Sequence, residues 1–265
     1  MREWPAPAEP LLSRARSKGA AFGRPVALIT GANRGLGFEV ARQLAQSGVF
    51  PVLGTRNADR GIAAVRALHA EGFESVAVRM DVTSDSEVVG SMDLVLSHLG
   101  RLDIVVNNAG VFPESRQARV AAADGTSGRK LLELLDVNSV GAYRVAAAAL
   151  PVMLRQGSGR IVNVSSDMAL SEPLAGGGSL AGGYCVGYRM SKVALNTMTQ
   201  VLAAEVAGTG VRVNAVTPGA VRTAMGRPEA DRSLAEGADS IVWLATLGDE
   251  CPNGRLVRDR RVVPW

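Results

Sequence analysis

The chain alternates short, continuously apolar runs with longer segments of helical periodicity, and this alternation constrains the fold more than any other feature. The apolar runs lie at residues 26–30, 50–55, 75–82, 102–110, 159–166 and 211–219. Strands that are apolar on both faces are typical of a parallel sheet with helices on both sides. Right-handed crossovers between such strands give a doubly wound, Rossmann-like α/β sheet. Because no Pro-rich linker or internal repeat interrupts the alternation, we predict a single domain over residues 26–265.

Composition and the scarcity of reactive residue types argue against several function classes. Lys and Arg exceed Asp and Glu by 29 − 25 = 4, an excess spread along the chain, which argues against a nucleic-acid surface. The two cysteines, Cys185 and Cys251, have no CxxC spacing. Their pattern argues against a disulfide framework and a metal site and indicates a reducing compartment, so we predict a cytoplasmic protein. His69 and His98 lie in amphipathic helical patterns, which disfavours a Ser-His-Asp hydrolase.

The amino-terminal segment has the composition of a tail. Residues 1–25 are rich in Pro, Ala and Arg and lack the apolar centre of a signal peptide. We predict a flexible tail here; the alternative, an organellar transit peptide, is weakened by Glu3 and Glu9. No apolar run in the chain approaches the ~18 residues that a membrane span needs.

A glycine-rich loop directly follows the first apolar run. In the stretch TGANRGLG, from Thr30 to Gly37, the glycines follow a GxxxGxG spacing. Glycines permit a tight turn and a close approach of the backbone, and the amino end of the next helix offers N–H groups to a phosphate. The loop therefore predicts a dinucleotide site, with a plain strand-to-helix turn as the alternative.

The charge after the second apolar run separates the two nicotinamide cofactors. NAD-binding sheets usually carry Asp or Glu at this point, where it binds the ribose 2′-hydroxyl. Here Arg56 holds the position, no acid follows until Asp59, and Arg34 lies in the glycine loop. Because guanidinium groups form bidentate pairs with phosphate oxygens, NADP(H) is favoured. Asp81, in the third run, is interpreted as an adenine contact, as the N-cap of the following helix, or as both.

Six motifs in one order give the chain a resemblance to a known family. They are TGANRGLG (30–37), NNAG (107–110), the Asn of DVNSVG (Asn138), VNVSS (162–166), YRMSK (188–192) and TPGAVRT (217–223). Together they resemble the short-chain dehydrogenase/reductase family, and the sequence from Glu236 onward resembles its carbonyl-reductase branch. The resemblance leaves only the amino-terminal tail outside.

This resemblance implies a role for each reacting side chain. Tyr188 would be the general acid that protonates the carbonyl oxygen as hydride reaches the carbon. Lys192, one helical turn further on, would lower the pKa of Tyr188 and bind the nicotinamide ribose. Ser166 would hydrogen-bond the substrate oxygen, with Ser165 as the alternative, because neighbouring side chains on a strand face opposite sides. Asn138 would hold a water that relays protons to Lys192.

The resemblance also implies which residues contact the cofactor. Besides Tyr188 and Lys192, these are Gly31, Asn33, Arg34, Gly35, Leu36, Gly37, Arg56, Asp81, Val82, Asn108, Ala109, Gly110, Pro218, Gly219, Val221 and Thr223. Of these, Pro218, Gly219 and Thr223 are expected on the nicotinamide carboxamide side.

The segment between Ser166 and Tyr188 departs from most of the family. Its 21 residues contain six glycines and lie where substrate is expected to enter, so we predict a mobile lid, with an inert insertion as the alternative. Tyr184, within it, is a candidate substrate contact beside Ser166 and Tyr188. Family members often dimerise through the helices that carry Asn138 and Tyr188. Because the insertion can obstruct that contact, a homodimer, a homotetramer and a monomer all stay open.

Three functions fit the sequence. The favoured one is NADPH-dependent reduction of a ketone, aldehyde or quinone. The others are NAD-dependent oxidation of a secondary alcohol and a non-catalytic NADP-sensing protein on the same fold. The partner is expected to be a small carbonyl compound, with no nucleic acid and no membrane. Specificity lies in loops 111–128, 167–187 and 224–235, which carry no diagnostic motif, so the substrate itself is not identified.

Overall fold

A computed structural model describes residues 23–112, 127–170, 185–223, 225 and 229–265. The strands over these residues are β1 Val26–Thr30, β2 Phe50–Thr55, β3 Val76–Arg79, β4 Ile104–Asn107, β5 Gly159–Val164, β6 Val211–Val216, β7 Leu256–Arg258 and β8 Arg261–Val263. They form one sheet in the order β3-β2-β1-β4-β5-β6-β7-β8. All neighbours are parallel except the β7–β8 hairpin. The predicted doubly wound sheet is confirmed, with an antiparallel edge strand added.

The helices between the strands cover both faces of the sheet. They are α1 Gly35–Gln46, α2 Ala58–Ala70, α3 Asp85–Leu99, α4 Gly128–Leu135, α5 Gly141–Gln156, α6 Val186–Glu205 and α7 Leu234–Thr246. A π-helical turn, Asp136–Val140, joins α4 to α5, and a 3₁₀ turn, Asp167–Ala169, follows β5. The sequence periodicity did not predict α7, β7 or β8.

Two apolar clusters explain why the strands read as continuous apolar runs. Along β1, Val26 and Leu28 join the cluster that α3, α5 and α6 cover. Ala27 and Ile29 join the opposite cluster, under α1, α2 and α7. Successive side chains of a strand point to opposite faces, so a strand buried on both faces has no face turned to solvent. The predicted runs overran the strands at their carboxyl ends, because those last residues leave the sheet and enter the loops of the site.

The start of α3 corrects one expectation. Ser84, not Asp81, is its N-cap, and the Ser84 side chain accepts a hydrogen bond from the Glu87 N–H. Asp81 Oδ1 instead accepts from Thr83 N at 3.0 Å and from Thr83 Oγ1 at 2.8 Å, which closes a tight turn between β3 and α3. The N-cap interpretation of Asp81 is wrong.

Arg24, which precedes the predicted domain, already contacts it. Arg24 pairs with Glu74 at 2.8 Å and lies over the Phe50 ring, 5.2 Å from its centroid. The predicted flexible tail otherwise falls on residues 1–22, outside the described residues, and stays a prediction.

One continuous helical stretch, Gly128–Gln156, has the length and hydropathy of a membrane span, contrary to the expectation from apolar runs. It has 29 residues, a mean hydropathy of 1.3 in its most apolar window, and 56% of that window buried inside the protein. Val145, Ala149 and Met153 are fully buried in the core under the sheet. We interpret it as a core helix, whose packing on the sheet accounts for its apolar side.

Candidate active site

The predicted residues that the structure describes lie at the carboxyl edge of the sheet, and those of the loops after β1, β4, β5 and β6 lie near α6. Tyr188 and Lys192 are one turn apart near the start of α6. The Lys192 Nζ atom lies 5.8 Å from the centroid of the Tyr188 ring. The Tyr188 ring packs on Phe112, with centroids 4.5 Å apart, and the residue is only 8% exposed. The phenol and the ammonium therefore share a pocket from which most water is excluded.

Lys192 is a buried cation at this edge. Its Nζ donates a hydrogen bond to the Val164 carbonyl, at the end of β5, at 2.8 Å. Burial lowers the pKa of Lys192 from 10.5 to about 8. Because this value is still above 7, the side chain is mostly an ammonium at neutral pH.

Asn138 lies in the π-helical turn and ties the loop after β4 to α6. Its Oδ1 accepts from Val111 N at 2.8 Å, and its Nδ2 donates to Val111 O and to Ser191 Oγ, each at 3.0 Å. Ser191 Oγ donates in turn to the Tyr188 carbonyl at 2.7 Å. A Cβ at Gly110 would lie 3.3 Å from Asn138 Oδ1 and 3.9 Å from Lys192 Nζ, so these three residues converge. Single π-helical turns are frequent at functional sites.

The two serines after β5 differ in their surroundings. Ser165 is buried, and its hydroxyl donates to Asn196 Oδ1 on α6 at 2.6 Å. Ser166 is half-buried, and its Oγ accepts from Met168 N at 3.2 Å. Among the described residues, the Ser166 hydroxyl donates to no acceptor. Its proton is thus available to a group in the pocket, whereas that of Ser165 is engaged in the core.

The glycine loop after β1 is shaped by its glycines and by hydrogen bonds to the loop after β4. Gly31 and Gly35 have φ values of +67° and +58°, which favour glycine, and a Cβ at Gly37 would come within 2.4 Å of Asn108 Nδ2. Asn108 Nδ2 donates to the Thr30 carbonyl at 2.9 Å, and Thr30 Oγ1 accepts from Asn108 N and Ala109 N. Sequence reasoning missed Thr30; its place at the end of β1 is the only signal for it.

The first turn of α1 differs from most other helix starts. No side chain caps it, and no acid lies in its first turn, whereas α2, α3, α4 and α7 each have a side-chain cap. The N–H groups of a first turn have no partner within the helix. The start of α6 is also uncapped, but only the start of α1 directly follows the glycine loop, so within the described structure it is the start that best suits an anion at this loop.

Arg34 and Arg56 stand on adjacent loops. Both are exposed, and in the described part of the chain neither forms an ion pair. Their loops are joined where Gly31 N donates to the Gly54 carbonyl, at 2.8 Å. Asp81 is half-buried in its turn, while Val82 is buried against the start of α5, 2.7 Å from where a Cβ at Gly141 would lie.

The loop after β6 also lies at the carboxyl edge of the sheet. Pro218 is half-buried, Gly219 has a φ of +72°, and the Arg232 guanidinium covers Gly219 closely, 2.9 Å from where its Cβ would lie. Val221 is buried and pairs with Arg232 through the backbone. Asn33, Leu36 and Thr223 are half-buried.

Some of the predicted residues fall outside the part of the chain that the structure describes. Tyr184 and residues 171–184 of the predicted lid lie outside the described residues, as do 113–126 of the first specificity loop. Both histidines, in contrast, have the structural roles expected of helix residues. His69 Nε2 lies 3.0 Å from Ser75 O, and His98 Nδ1 lies 2.9 Å from Leu94 O.

Comparisons with known proteins agree with this geometry. The profile of the family described as short chain dehydrogenase matches residues 25–233. Carbonyl reductase (NADPH) 1 of Mus musculus is 32% identical over 289 residues, which cover 91% of this chain and 99% of that protein.

Two solved structures show the same fold. Salutaridine reductase from Papaver somniferum has a TM-score of 0.74 and 27% identity, over 89% of this chain and 100% of that chain. Actinorhodin polyketide ketoreductase with NADPH has a TM-score of 0.76 and 26% identity, over 88% and 95%. The order of its motifs, the geometry of its sheet edge and these matches together make the chain a member of the short-chain dehydrogenase/reductase family of oxidoreductases.

Proposed function

We propose that the protein reduces a ketone, aldehyde or quinone to the alcohol with NADPH. The observation that carries the proposal is the pairing of Tyr188 with the buried Lys192 ammonium on one helical turn, and the available hydroxyl of Ser166 after β5 supports it. A phenol, a cation and a hydroxyl at one point can polarise a carbonyl group and protonate its oxygen.

Each side chain has one step in this reaction. Ser166, oriented by the Met168 N–H, donates its proton to the carbonyl oxygen in a hydrogen bond and stabilises the charge that develops there. Tyr188 transfers its phenolic proton to that oxygen and becomes a phenolate. Lys192, whose Nζ lies 5.8 Å from the centroid of the Tyr188 ring, stabilises the phenolate through its positive charge.

The proton lost by Tyr188 must return from solvent. Three hydrogen bonds to Val111 and Ser191 hold the Asn138 side chain, close to Lys192. We assign it the role of holding a water between Lys192 and bulk solvent. Its rigid attachment to the loop after β4 and to α6 supports that role, because a relay needs its members at constant distances.

NADP(H) is the cofactor that these residues fit. When bound, NADPH supplies the hydride that reduces the carbonyl carbon. The uncapped first turn of α1, with Gly35, Leu36 and Gly37, would hold the pyrophosphate, and the exposed Arg34 and Arg56 would hold the 2′-phosphate. The remaining contacts are assigned to Gly31, Asn33, Asp81, Val82, Asn108, Ala109, Gly110, Tyr188, Lys192, Pro218, Gly219, Val221 and Thr223.

The NADPH name of the mouse relative and the NADPH in the ketoreductase structure also support this cofactor. The competing functions are NAD-dependent alcohol oxidation and cofactor sensing without catalysis. Arg56, in place of an acid after β2, disfavours the first, and an intact Tyr188–Lys192 pair disfavours the second.

The test is a carbonyl screen that follows NADPH absorbance. The panel holds 4-nitrobenzaldehyde, menadione, phenanthrenequinone and ethyl acetoacetate, each with NADPH or NADH, beside the Tyr188→Phe variant. We expect NADPH-dependent turnover of at least one compound and its loss in the variant, with NADPH binding retained. Tight NADPH binding without turnover of any compound would favour the sensing function, and a preference for NADH would refute the cofactor assignment.

We further propose a cytoplasmic homodimer. The family resemblance puts dimer contacts on α5 and α6, whose outer faces expose Tyr143, Leu154 and Val201 by 50%, 45% and 52% around a shared groove. Such an apolar groove suits an identical apolar groove on a second copy. Light scattering after gel filtration should give twice the chain mass, and Val201→Asp should lower it to a monomer; a monomeric wild type would refute the dimer.

A further inference from the structure

The short turn after Ser166 is held by two arginines, the buried Arg189 and the half-buried Arg258. Asp167, 7% exposed, accepts from Arg258 Nη1 of β7 at 3.1 Å through Oδ2. Met168 O accepts from Arg189 Nη1 of α6 at 3.0 Å. The N–H that orients the Ser166 hydroxyl belongs to the same Met168. The position of this turn therefore sets where the Ser166 hydroxyl points.

The Asp167 carboxylate also reaches the loop after β6. Its Oδ1 accepts from Thr217 Oγ1 at 2.5 Å, and Thr217 directly precedes Pro218 and Gly219. The backbone of Thr217 is itself fixed, because its N–H donates to the Val257 carbonyl at 2.9 Å. One buried carboxylate thus joins the serine turn, the loop after β6 and the carboxyl-terminal hairpin.

The hairpin is anchored to that loop a second time. Arg232, which covers Gly219, makes a bidentate pair with Asp259 at 2.5 and 2.8 Å. Asp259 and Arg260 form the hairpin turn with φ values of 50° and 58°, a conformation for which such turns prefer Asn, Asp or Gly, so Arg260 is the unusual residue. Strain of this kind persists where the surroundings determine the conformation, and here ion pairs surround it.

Stability alone does not account for a buried Asp167–Arg258 pair. Taking both charges out of water costs about as much as their attraction returns, and apolar residues of similar size are often as stable. What the pair adds is a fixed distance between two loops. A misplacement of about 1 Å at a reacting group can cost ~10²-fold in rate.

We propose that Asp167, held by Arg258 and Thr217, is a positioning residue that fixes the Ser166 hydroxyl relative to the loop 217–219. It deepens the proposed function and rests on it, since Ser166 acts there on the carbonyl oxygen and the loop lies on the cofactor side. Asp167 does not touch the reacting atoms; it acts through Ser166.

Asp167→Asn is the first test, because Asn keeps the shape but presents an N–H₂ group or a neutral oxygen to the Arg258 guanidinium. We expect kcat to fall roughly 10- to 100-fold for the best compound of the carbonyl panel, with the Kd for NADPH changed less than about threefold. In a Ser166→Ala background the same substitution should change kcat less than about threefold, since the residue it positions is gone. Full additivity of the two substitutions would overturn the proposal.

Asp239→Asn is the matched control. Asp239 pairs with Arg260 of the same hairpin turn through two hydrogen bonds, but both side chains are about half exposed, at 44% and 54%. Exposed pairs contribute little, so we expect kcat within about twofold of wild type. An equal loss of kcat in Asp239→Asn would mean that any disturbance of the hairpin lowers the rate, which contradicts a specific role for Asp167.

A second variant covers the case in which Asp167→Asn does not fold. The double substitution Asp167→Leu with Arg258→Met replaces the buried pair by apolar side chains and is expected to fold. It should lose kcat as Asp167→Asn does. Wild-type kcat in this folded double variant would overturn the proposal.

Hydrogen exchange separates failure of this inference from failure of the proposed function. In Asp167→Asn we expect the amides of Met168 and Ala169 to exchange about tenfold faster or more, with no such change in Asp239→Asn. If wild type reduces no carbonyl compound but this exchange effect is seen, the proposed function fails and the positioning of the turn stands. If wild type is active and the exchange is unchanged, the positioning role fails.

Discussion

The two halves of the carboxyl edge of the sheet differ in the kind of chemical group that they present. The half after β1 and β2 presents backbone groups of the glycine loop and an uncapped helix start, together with two exposed arginine side chains. The half after β4 and β5 consists of buried side chains, such as Asn138 and Lys192, that are each fixed by hydrogen bonds. The first half suits the binding of an anion, and the second suits proton transfer. Substitutions should therefore be able to remove binding and chemistry separately.

Lys192→Met should give the largest effect, and it should fall mainly on chemistry. Without the ammonium, the Tyr188 phenolate loses its charge partner, and we expect kcat to fall about 10³-fold or more. The Kd for NADPH, measured by fluorescence titration, should rise less than about tenfold, because the glycine loop is untouched. A variant that turns over at the wild-type rate would remove Lys192 from the mechanism.

The same variant should reveal the free-energy cost of the buried charge. The pKa of Lys192 is lowered to about 8 in the folded protein, against 10.5 as its ordinary value. The cost is therefore fully present below pH ~8, and the free energy of unfolding should rise with pH between these two values, by about 3 kcal/mol in all. In urea unfolding of the cofactor-free protein, the free energy of unfolding of wild type should rise relative to that of Lys192→Met across this pH range. A constant difference would mean that the pKa is not lowered.

Gly37→Ala should impair NADPH binding at the half after β1 and β2. The new Cβ would come within 2.4 Å of Asn108 Nδ2 and 2.8 Å of the Gly31 carbonyl, so the loop must move. We expect NADPH affinity to fall and the free energy of unfolding to drop by about 1–3 kcal/mol.

Gly90→Ala is the control for that substitution. Gly90 lies inside α3 with open space around its Cβ position. Alanine there should stabilise the protein by about 0.5–1 kcal/mol and leave NADPH binding unchanged. Thermal melts and titrations of both variants make the comparison; equal NADPH affinity in the two would contradict a close backbone approach at Gly37.

Arg56→Ala should give the smallest effect, on cofactor choice. Losing one phosphate contact is expected to lower kcat/KM for NADPH about tenfold while that for NADH stays within about twofold. Arg60, also exposed and in the first turn of α2, serves as the control, and Arg60→Ala should change neither value. A similar loss with both cofactors in Arg56→Ala would show that Arg56 does not bind the 2′-phosphate.

Local patterns were enough to predict much of the fold. Continuous apolar runs identified β1 to β6, since both sheet faces are buried. The i,i+4 spacing of Tyr188 and Lys192 correctly predicted that they share one helical turn. The hairpin escaped prediction because β7 and β8 have only three residues each, too few for a period to show.

Contacts between residues that are far apart in the sequence could not be predicted from it. Asp167 and Arg258 are 91 positions apart, and neither belongs to a motif. The π-helical turn around Asn138 likewise depends on bonds to Val111 and Ser191, which only the folded chain brings together. Such partners leave no local periodicity, because the hydrogen bonds that select them are formed between elements and not along one.

The π-helical turn has a consequence for how the chain tolerates changes in length. An α-helix advances about 100° per residue, so the extra residue of a π turn sets the rotational phase of α4 relative to α5. Deleting one residue from Asp136–Val140 would restore a regular helix and rotate either α4 or α5 by that angle. Since α5 is locked on the sheet by Val145, Ala149 and Met153, the rotation would fall on the amino-terminal side and turn Asn138 away from Val111. In this helix the number of residues, as much as their identity, is under functional constraint.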